Sequence, residues 1–391
     1  MSTKTLAIVV LSLAVAMTAC NGGSKEQTPD GWVINNEIKD IEVIDLEQIA
    51  EAIDVIPIVS SEPIDQIHGI SGKSNDFIAC SRWQTFYHVK DGHLVEKLNA
   101  VGNGHNEYNQ LQEYSYLPAD SLFYGFDNSG KIMCYKTSPF RFESVSPIKI
   151  YPHAMVALGR DKMLLMSFPP IDECEMETMQ MGDATIRKIK DSCAVYSFDG
   201  QTLAKMFCVA KTGDNNHIFT STDNGVLMSL LMPKHTLYRY AGDQIQKIAT
   251  IDYGEMEMPE PEEKVEMQGD MVVINVVING EYSTGCYYPQ INGSTLAYWH
   301  NTVLNDRMRN CLAIATTENV SNYEVRIGGL NNEVKIDMLD NGVYSMLFQG
   351  DYESMINQDE ELSPLGKQII DAMKGNDFNP VVLQFKLKAM N

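Results

Sequence analysis

The sequence predicts an all-β chain closed into one β-propeller of six blades, or seven, with a short helix before the last strand. Three observations carry this. Turn signatures of Asp, Asn and Gly recur at Asp91-Gly92, Asp127-Asn128-Ser129-Gly130, Asp199-Gly200, Asp223-Asn224-Gly225, Asn279-Gly280 and Asn341-Gly342. Tight hairpin turns need positive φ, which these residues adopt at least strain. Between them lie short β-type runs such as Val325–Ile327 and Val334–Met338, many apolar with weak alternation, as expected of sheets buried on both faces. Finally, the 351 residues of 41–391 are too many for one sandwich; divided by six they give about 58 per blade, and by seven about 50.

The elements follow in chain order. Lys4 precedes an apolar run from Leu6 to Met17, broken only by Ser12, and then Met17-Thr18-Ala19-Cys20. The run is roughly half of the ~20 residues a membrane-spanning helix needs, so it reads as a signal-peptide core. Small residues before a cysteine look like a bacterial lipoprotein signal, cleaved before Cys20, whose sulfur would carry the lipid. Residues 1–19 are then the signal peptide, 20–36 the lipidated cysteine with a polar tether, and 37–391 a single propeller domain. Leu46, Ile49, Ala50 and Ile53 fall at helical spacing, predicting a short helix over Asp45–Ala52 and a strand over Asp54–Val59. Tyr87–Lys90, Asp91-Gly92 and His93–Val95 form a hairpin signature. Near the end, Ser363 is an N-cap and Pro364 a first helical residue. Leu365, Ile369, Ile370 and Met373 share a face, and Gly375 is the stop. In the final strand Val381, Leu383, Phe385 and Leu387 alternate with Val382, Gln384, Lys386 and Lys388.

Ile44-Asp45-Leu46-Glu47-Gln48-Ile49-Ala50-Glu51-Ala52-Ile53-Asp54-Val55-Ile56-Pro57-Ile58 resembles the opening segment of the six-bladed β-propeller lipoproteins of Bacteroides-type bacteria. Val101-Gly102-Asn103-Gly104-His105-Asn106-Glu107-Tyr108 looks like that family's Gly-x-Gly-Pro-Gly-Glu-Tyr turn, with His105 and Asn106 in place of Pro-Gly, and Asn379–Lys388 is similar to its closing strand. The resemblance covers both ends and is faint between about residues 140 and 350. It implies six blades, with the two terminal segments sharing one blade, and it implies no activity.

Composition limits the function classes. The chain holds 52 acidic and 30 basic residues, a net charge of −22; removal of Lys4 with the signal makes it −23. Such a field opposes phosphate-tracking, so nucleic acid is excluded as a partner. Of eight cysteines, Cys20 is the lipidation residue. Cys80, Cys134, Cys174, Cys193, Cys208, Cys286 and Cys311 remain, an odd number without Cys-x-x-Cys spacing, expected mostly as free, buried thiols.

No catalytic constellation and no cofactor motif emerges. The Gly102–Tyr108 loop has Glu107 where a phosphate loop needs glycine; it reads as structural, with Glu107 accepting backbone N–H groups and Tyr108 packed. His105 and Glu107 are the candidate ligand contacts. Ser221–Met228 resembles a single Asp-box, a turn device of sialidase-type propellers in which Asp and Ser satisfy turn amides, but no arginine cluster or Tyr–Glu pair accompanies it. Asp172–Met181 mixes acids with four sulfurs and could hold a soft ion; a solvated acidic loop is the alternative, as it is for Glu255–Glu263. Trp32, Trp83, Tyr287, Tyr288 and Trp299 could stack on sugars or lie in the core. No metal site is assigned. The reading is a lipid-anchored envelope protein, at the outer membrane, whose propeller binds a glycan, peptide or protein. The alternative is a metal-dependent hydrolase or lactonase with its site in the central channel.

Overall fold

The computed structural model describes residues 31–168, 176–181, 184–189, 193–209, 219–230, 235–259, 262–268, 271–331, 336–376 and 379–388. They form a ring of six blades. Blade 1 is Ile67–Lys73, Asp76–Ser81, Phe86–Lys90 and His93–Leu98; blade 2 is Leu111–Leu117, Leu122–Asp127, Lys131–Thr137 and Phe140–Pro147. Blade 3 is Pro152–Gly159, Lys162–Ser167, Cys193–Phe198 and Leu203–Val209, and blade 4 is Phe219–Thr222, Gly225–Leu230, His235–Ala241 and Gln244–Asp252. Blade 5 is Tyr282–Asn292, Thr295–Leu304, Arg307–Ala315 and Val320–Arg326. Blade 6 takes Ile336–Leu339, Val343–Phe348 and Val381–Leu387 from the C-terminal part of the chain, and its outermost strand, Ala50–Pro57, from the N-terminal part. The ring therefore closes inside blade 6, as the resemblance implies.

Six buried apolar clusters occupy the six junctions between neighbouring blades. Each inner sheet is covered on both faces, which accounts for the weak alternation. In the last strand Val382 and Gln384 are as buried as Val381, Leu383 and Phe385.

Antiparallel connectivity divides the turns between the two ends of the ring. Links between the first and second strands, and between the third and fourth, lie at one end and are two to four residues long. Asp91 and Gly92 there have φ of +48° and +75°, the paired positive values of a type I′ hairpin. Links between second and third strands, and between blades, lie at the other end. These carry helix α2 (Pro364–Lys374) and two inserted hairpins, Met176–Met181 with Ala184–Ile189 and Glu262–Gln268 with Met271–Val277. Asn279-Gly280 ends the second insertion rather than turning a hairpin. The Ser363 hydroxyl of α2 accepts the Gly366 N–H at 3.1 Å, and Leu365, Ile369, Ile370 and Met373 are buried, as the capping pattern predicts.

Two expectations near the N-terminus need correction. The tether does not reach residue 36: Trp32–Asn35 pairs in parallel with Ala249–Asp252 on the outer edge of blade 4, burying Trp32 and Ile34. Helix α1 spans only Leu46–Ile49, and the strand begins at Ala50. The helical spacing of Leu46, Ile49 and Ala50 is used to reach one core cluster. Pairing of Ala50 and Glu51 with Leu387 and Lys386 then extends the backbone, with a bulge at Ala52, φ +50°. A further strand, Glu42–Asp45, pairs in parallel with Tyr323–Arg326 of blade 5. Residues 32–57 thus form a strap around blades 4, 5 and 6.

Candidate functional site

The innermost strands of all six blades surround a central cavity of about 640 Å³, within the size range of small-molecule sites. An innermost strand pairs on one side only, so its free edge and some of its side chains face the axis. The wall is fastened blade to blade by serines at matching strand positions. The Ser71 hydroxyl accepts the Tyr116 N–H at 3.1 Å, and the Ser115 hydroxyl accepts the Ala157 N–H at 3.0 Å. Glycines of blade 1 make room for the tyrosines of blade 2. A Cβ on Gly69 would lie 2.5 Å from the Tyr114 hydroxyl, and one on Gly72 2.8 Å from the Tyr116 ring. The Tyr116 hydroxyl also donates to Asp76 at 2.8 Å, beside His88, locking the first two blades.

Three carboxyl groups line this cavity: Glu113 from blade 2, and Asp337 and Asp340 from blade 6. No Lys or Arg is among the lining residues. Burial alone pushes the Glu113 carboxyl up to about 8, so at neutral pH it is largely protonated. Asp337 accepts from the Tyr288 hydroxyl of blade 5 at 3.0 Å. Asp340 begins the turn Asp340–Gly342, which packs against Phe219–Thr222 of blade 4 and narrows the channel at the short-turn end. Burial raises Asp340 to about 6, opposed by Lys73 and by a hydrogen bond from Ser221. Thr220, on the same wall, is 4% exposed, and its hydroxyl has no hydrogen-bond partner. Among the described residues, no group of three His, Cys, Asp or Glu is placed to hold a metal ion.

The two contact residues expected from sequence stand away from this cavity, on the loop between blades 1 and 2. Glu107 is turned into its own loop: its carboxylate accepts the Gly104 N–H at 2.7 Å and packs against Gly102, where a Cβ would lie 2.1 Å from Glu107 Oε2. Tyr108 is fully buried and donates to the Gln84 carbonyl at 2.7 Å, the packing expected of a structural turn. His105 is exposed, with its ring centroid 5.2 Å from that of Phe142 in an edge-on arrangement. Cys20 lies outside the described residues, as do Asp172–Glu175 and Glu260–Pro261.

Other sequence candidates resolve into structure. Trp32, Tyr288 and Trp299 are buried and Tyr287 packs against a core cluster, whereas Trp83 is 70% exposed beneath the Arg82 guanidinium. The Asp-box segment is a hairpin turn, but Thr222 is the residue that supports it. Thr222 donates to the Gly225 carbonyl at 2.8 Å and accepts the Asn224 N–H at 3.3 Å, leaving Ser221 to face Asp340. Cys80, Cys134, Cys286 and Cys311 are free and buried; burial pushes Cys80, Cys286 and Cys311 each up to about 12, so they are inert thiols. Sequence reasoning missed Glu113, Asp337 and Asp340. The available signal was an acid placed in the first apolar strand after a long connection.

No protein-family model and no curated protein matches the sequence. Among solved structures, the chain is similar to a protein of Bacteroides fragilis NCTC 9343 provisionally described as exported. The TM-score is 0.58 at 12% identity, over 91% of this chain and 99% of that one. A DUF4221 family member from Bacteroides vulgatus gives a TM-score of 0.47 at 7% identity over 87% and 98% of the two chains. BamB from Moraxella catarrhalis gives 0.37 at 11% over 86% and 99%. At such identities the first likeness establishes the propeller fold alone, and no argument rests on the other two.

Proposed function

We propose that this chain is an envelope lipoprotein, anchored through Cys20, whose propeller is a binding module for a small polar ligand held in the central cavity. The observation that carries the binding reading is the cavity itself. Six blades contribute to one space of about 640 Å³, where a mainly protonated Glu113, two aspartates and the Tyr288 hydroxyl meet a partly apolar wall. That is the chemistry of a pre-formed polar-ligand pocket. The anchor rests on the chain's own N-terminal pattern, Lys4, Leu6–Met17 and Cys20. No helix among the described residues is long and apolar enough to cross a membrane. The exported description belongs to the Bacteroides fragilis relative, and its fold similarity accords with this address without supplying it.

The second reading, hydrolysis in the channel, is favoured by one observation: carboxyl groups do converge there. A metal-dependent version needs ligands clustered on one ion, and the three acids are instead distributed along the axis. Binding is therefore the better supported reading.

Two measurements test the proposal. Native mass spectrometry of protein drawn from its own envelope is expected to show a retained small molecule, absent from Ser221→Trp, which places a bulky ring on the cavity wall beside Asp340. A folded wild-type protein that retains nothing, and whose response to a panel of sugars, amino acids and amines equals that of the variant, overturns the cavity reading. Labelled palmitate is expected to enter the wild-type chain and not Cys20→Ala; label in both refutes the anchor.

A further inference from the structure

The cavity has an unbalanced charge, and this identifies the chemistry of its ligand. Glu113, Asp337 and Asp340 face it without a single lining Lys or Arg. Lys73 lies close enough to Asp340 to offset that group, but burial is the one influence on Glu113, and no ion pair relieves it. Taking a carboxyl group out of water without a partner is unfavourable, and the group responds by holding its proton. A positively charged ligand would supply the partner that the protein omits. The rest of the wall suits an organic cation. Tyr114, Tyr116, Tyr288 and Phe219 are among the lining residues; their rings pack into the blade junctions, and they contribute apolar wall for methylenes. Thr220 adds a buried hydroxyl without a partner. Asp337 lies in the inner strand Ile336–Leu339 and Asp340 opens the turn that follows it, so about 10 Å of extended chain separates the two.

We propose that the cavity binds an aliphatic amine, with one ammonium group at the Glu113–Asp337 level and, in a ligand with two cationic ends, a second at Asp340. This deepens the binding reading above and rests on it. A bare divalent ion fits less well, because no three acidic or His groups gather at one point among the described residues. An anionic ligand would meet three carboxyl groups and no cation.

The linkage has a definite sign. Glu113 must lose its proton to pair with an ammonium group. The groups around it are His68 of blade 1, Tyr114 and Tyr116 of its own strand, Tyr288 of blade 5, and Asp337 and Asp340 of blade 6, with Lys73 beyond. Blade 3 lines the cavity with Ala154–Ala157, which has no titratable side chain, and blade 4 with Phe219–Thr222 likewise. Since the tyrosines stay neutral and the ligand's amine stays charged up to pH 9, affinity follows the ionisation of Glu113 and rises with pH.

Titration calorimetry at pH 6.5 and 8.5 in 150 mM salt, which screens attraction to the chain's overall negative charge, tests this with three probes: spermidine, maltotriose and citrate. Spermidine is expected to bind at least about tenfold more tightly at pH 8.5 than at pH 6.5; binding is expected to release close to one proton at pH 6.5 and far less at pH 8.5, seen as a dependence of the heat on the buffer. Glu113→Gln is expected to weaken it about tenfold and to abolish most of the pH dependence; Asp337→Asn is expected to weaken it at both pH values. Citrate is expected not to bind. Melting curves establish that each variant is folded, and Ser221→Trp identifies binding that occurs inside the cavity. Maltotriose binding that Ser221→Trp blocks, with no spermidine binding, would leave the cavity reading intact and overturn the amine inference. Spermidine binding unaffected by both Glu113→Gln and Ser221→Trp is surface attraction and also overturns it. If no probe binds in the cavity, the amine inference fails, and the ligand retained from the envelope decides the broader reading independently.

Discussion

Blades 4–6 and blades 1–3 protect their outer edges by different means. In the first half, the strap pairs Trp32–Asn35 with blade 4 and Glu42–Asp45 with blade 5, and itself supplies the outer strand Ala50–Pro57 of blade 6. The joint is polar as well as apolar. Asn36 donates to the Tyr298 hydroxyl at 2.8 Å and exchanges hydrogen bonds with Asn322, which faces His300 at 2.9 Å. Lys388 donates to the carbonyls of Glu47 and Gln48 at the end of α1, and Ser363 of α2 donates to Glu47. In the other half, the outer strands rely mainly on charge and proline: Glu96 and Lys97 in blade 1 (where Val59 adds a single bridge at His93), Arg141, Glu143 and Pro147 in blade 2, and Lys205 in blade 3. Both devices stop a free strand edge from recruiting another chain. They differ in reach. A charged edge is complete once its own blade folds, whereas the strap joins residues about 220 to 340 positions apart, so its half depends on distant parts of the chain having come together.

The largest expected effect breaks the strap. Trp32 is 8% exposed and packs with Leu237, Ile251 and Tyr253 in the junction of blades 4 and 5. Trp32→Ala is expected to cost about 3–5 kcal/mol, as large-to-small core substitutions do. Hydrogen exchange should then show amides of Gln244–Asp252 losing protection while those of His93–Leu98 keep theirs. Equal loss in both strands would mean that the ring opens as one unit and that the two halves are not distinct.

The same division explains what the sequence does and does not disclose. Features set by neighbours along the chain are legible: the Asp91-Gly92 turn, the Ser363 cap with its apolar face on α2, and the Glu107 carboxylate accepting a backbone N–H of its own loop beside a packed Tyr108. The strap is not. Trp32 and Ile34 show alternation over four residues only, too short to separate from a polar tether, and their partners at Ala249 and Ile251 are remote in sequence. α1 is shortened for a similar reason, because pairing with the final strand overrides helical spacing from Ala50 onward. The cavity is hidden more deeply. Glu113 and Asp337 sit in strands that read as ordinary; only the ring, which brings six first strands to one axis, makes them neighbours.

A change of pH offers a second, intermediate test. His235 and His300 lie at the strapped junction, and burial lowers each to about 4; the nearby second histidine adds to the lowering of His235, and Asn322 works against it for His300. Both are therefore neutral in the fold, while their ordinary value is 6.5. Below pH 6.5 the unfolded chain takes up protons that the folded chain refuses, so stability falls as pH drops from 6.5 toward 4, by up to about 3 kcal/mol for each group. Exchange measured at pH 5 should show this loss first in blades 4 and 5. His300→Asn, which cannot ionise, is expected to lower stability at pH 7 yet flatten the acid slope; an unchanged slope would place the acid sensitivity elsewhere.

The smallest expected change in stability sharpens the comparison most directly, because it separates folding from edge protection. Lys97 is half exposed and pairs with exposed Glu62, an ion pair of a kind that contributes roughly 0–1 kcal/mol. Lys97→Val should therefore leave the melting temperature nearly unchanged. It nevertheless removes a charge from an edge that is bridged only at His93, by Val59, and adds β-propensity, so sedimentation velocity is expected to show self-association. Thr250→Val makes a similar apolar change on the outer strand of blade 4, opposite Val33 of the strap. There the edge is already occupied, and the variant should stay monomeric. Association of both variants would show that surface apolarity alone drives it, whereas association of Lys97→Val only assigns edge protection to charge in one half of the ring and to the strap in the other.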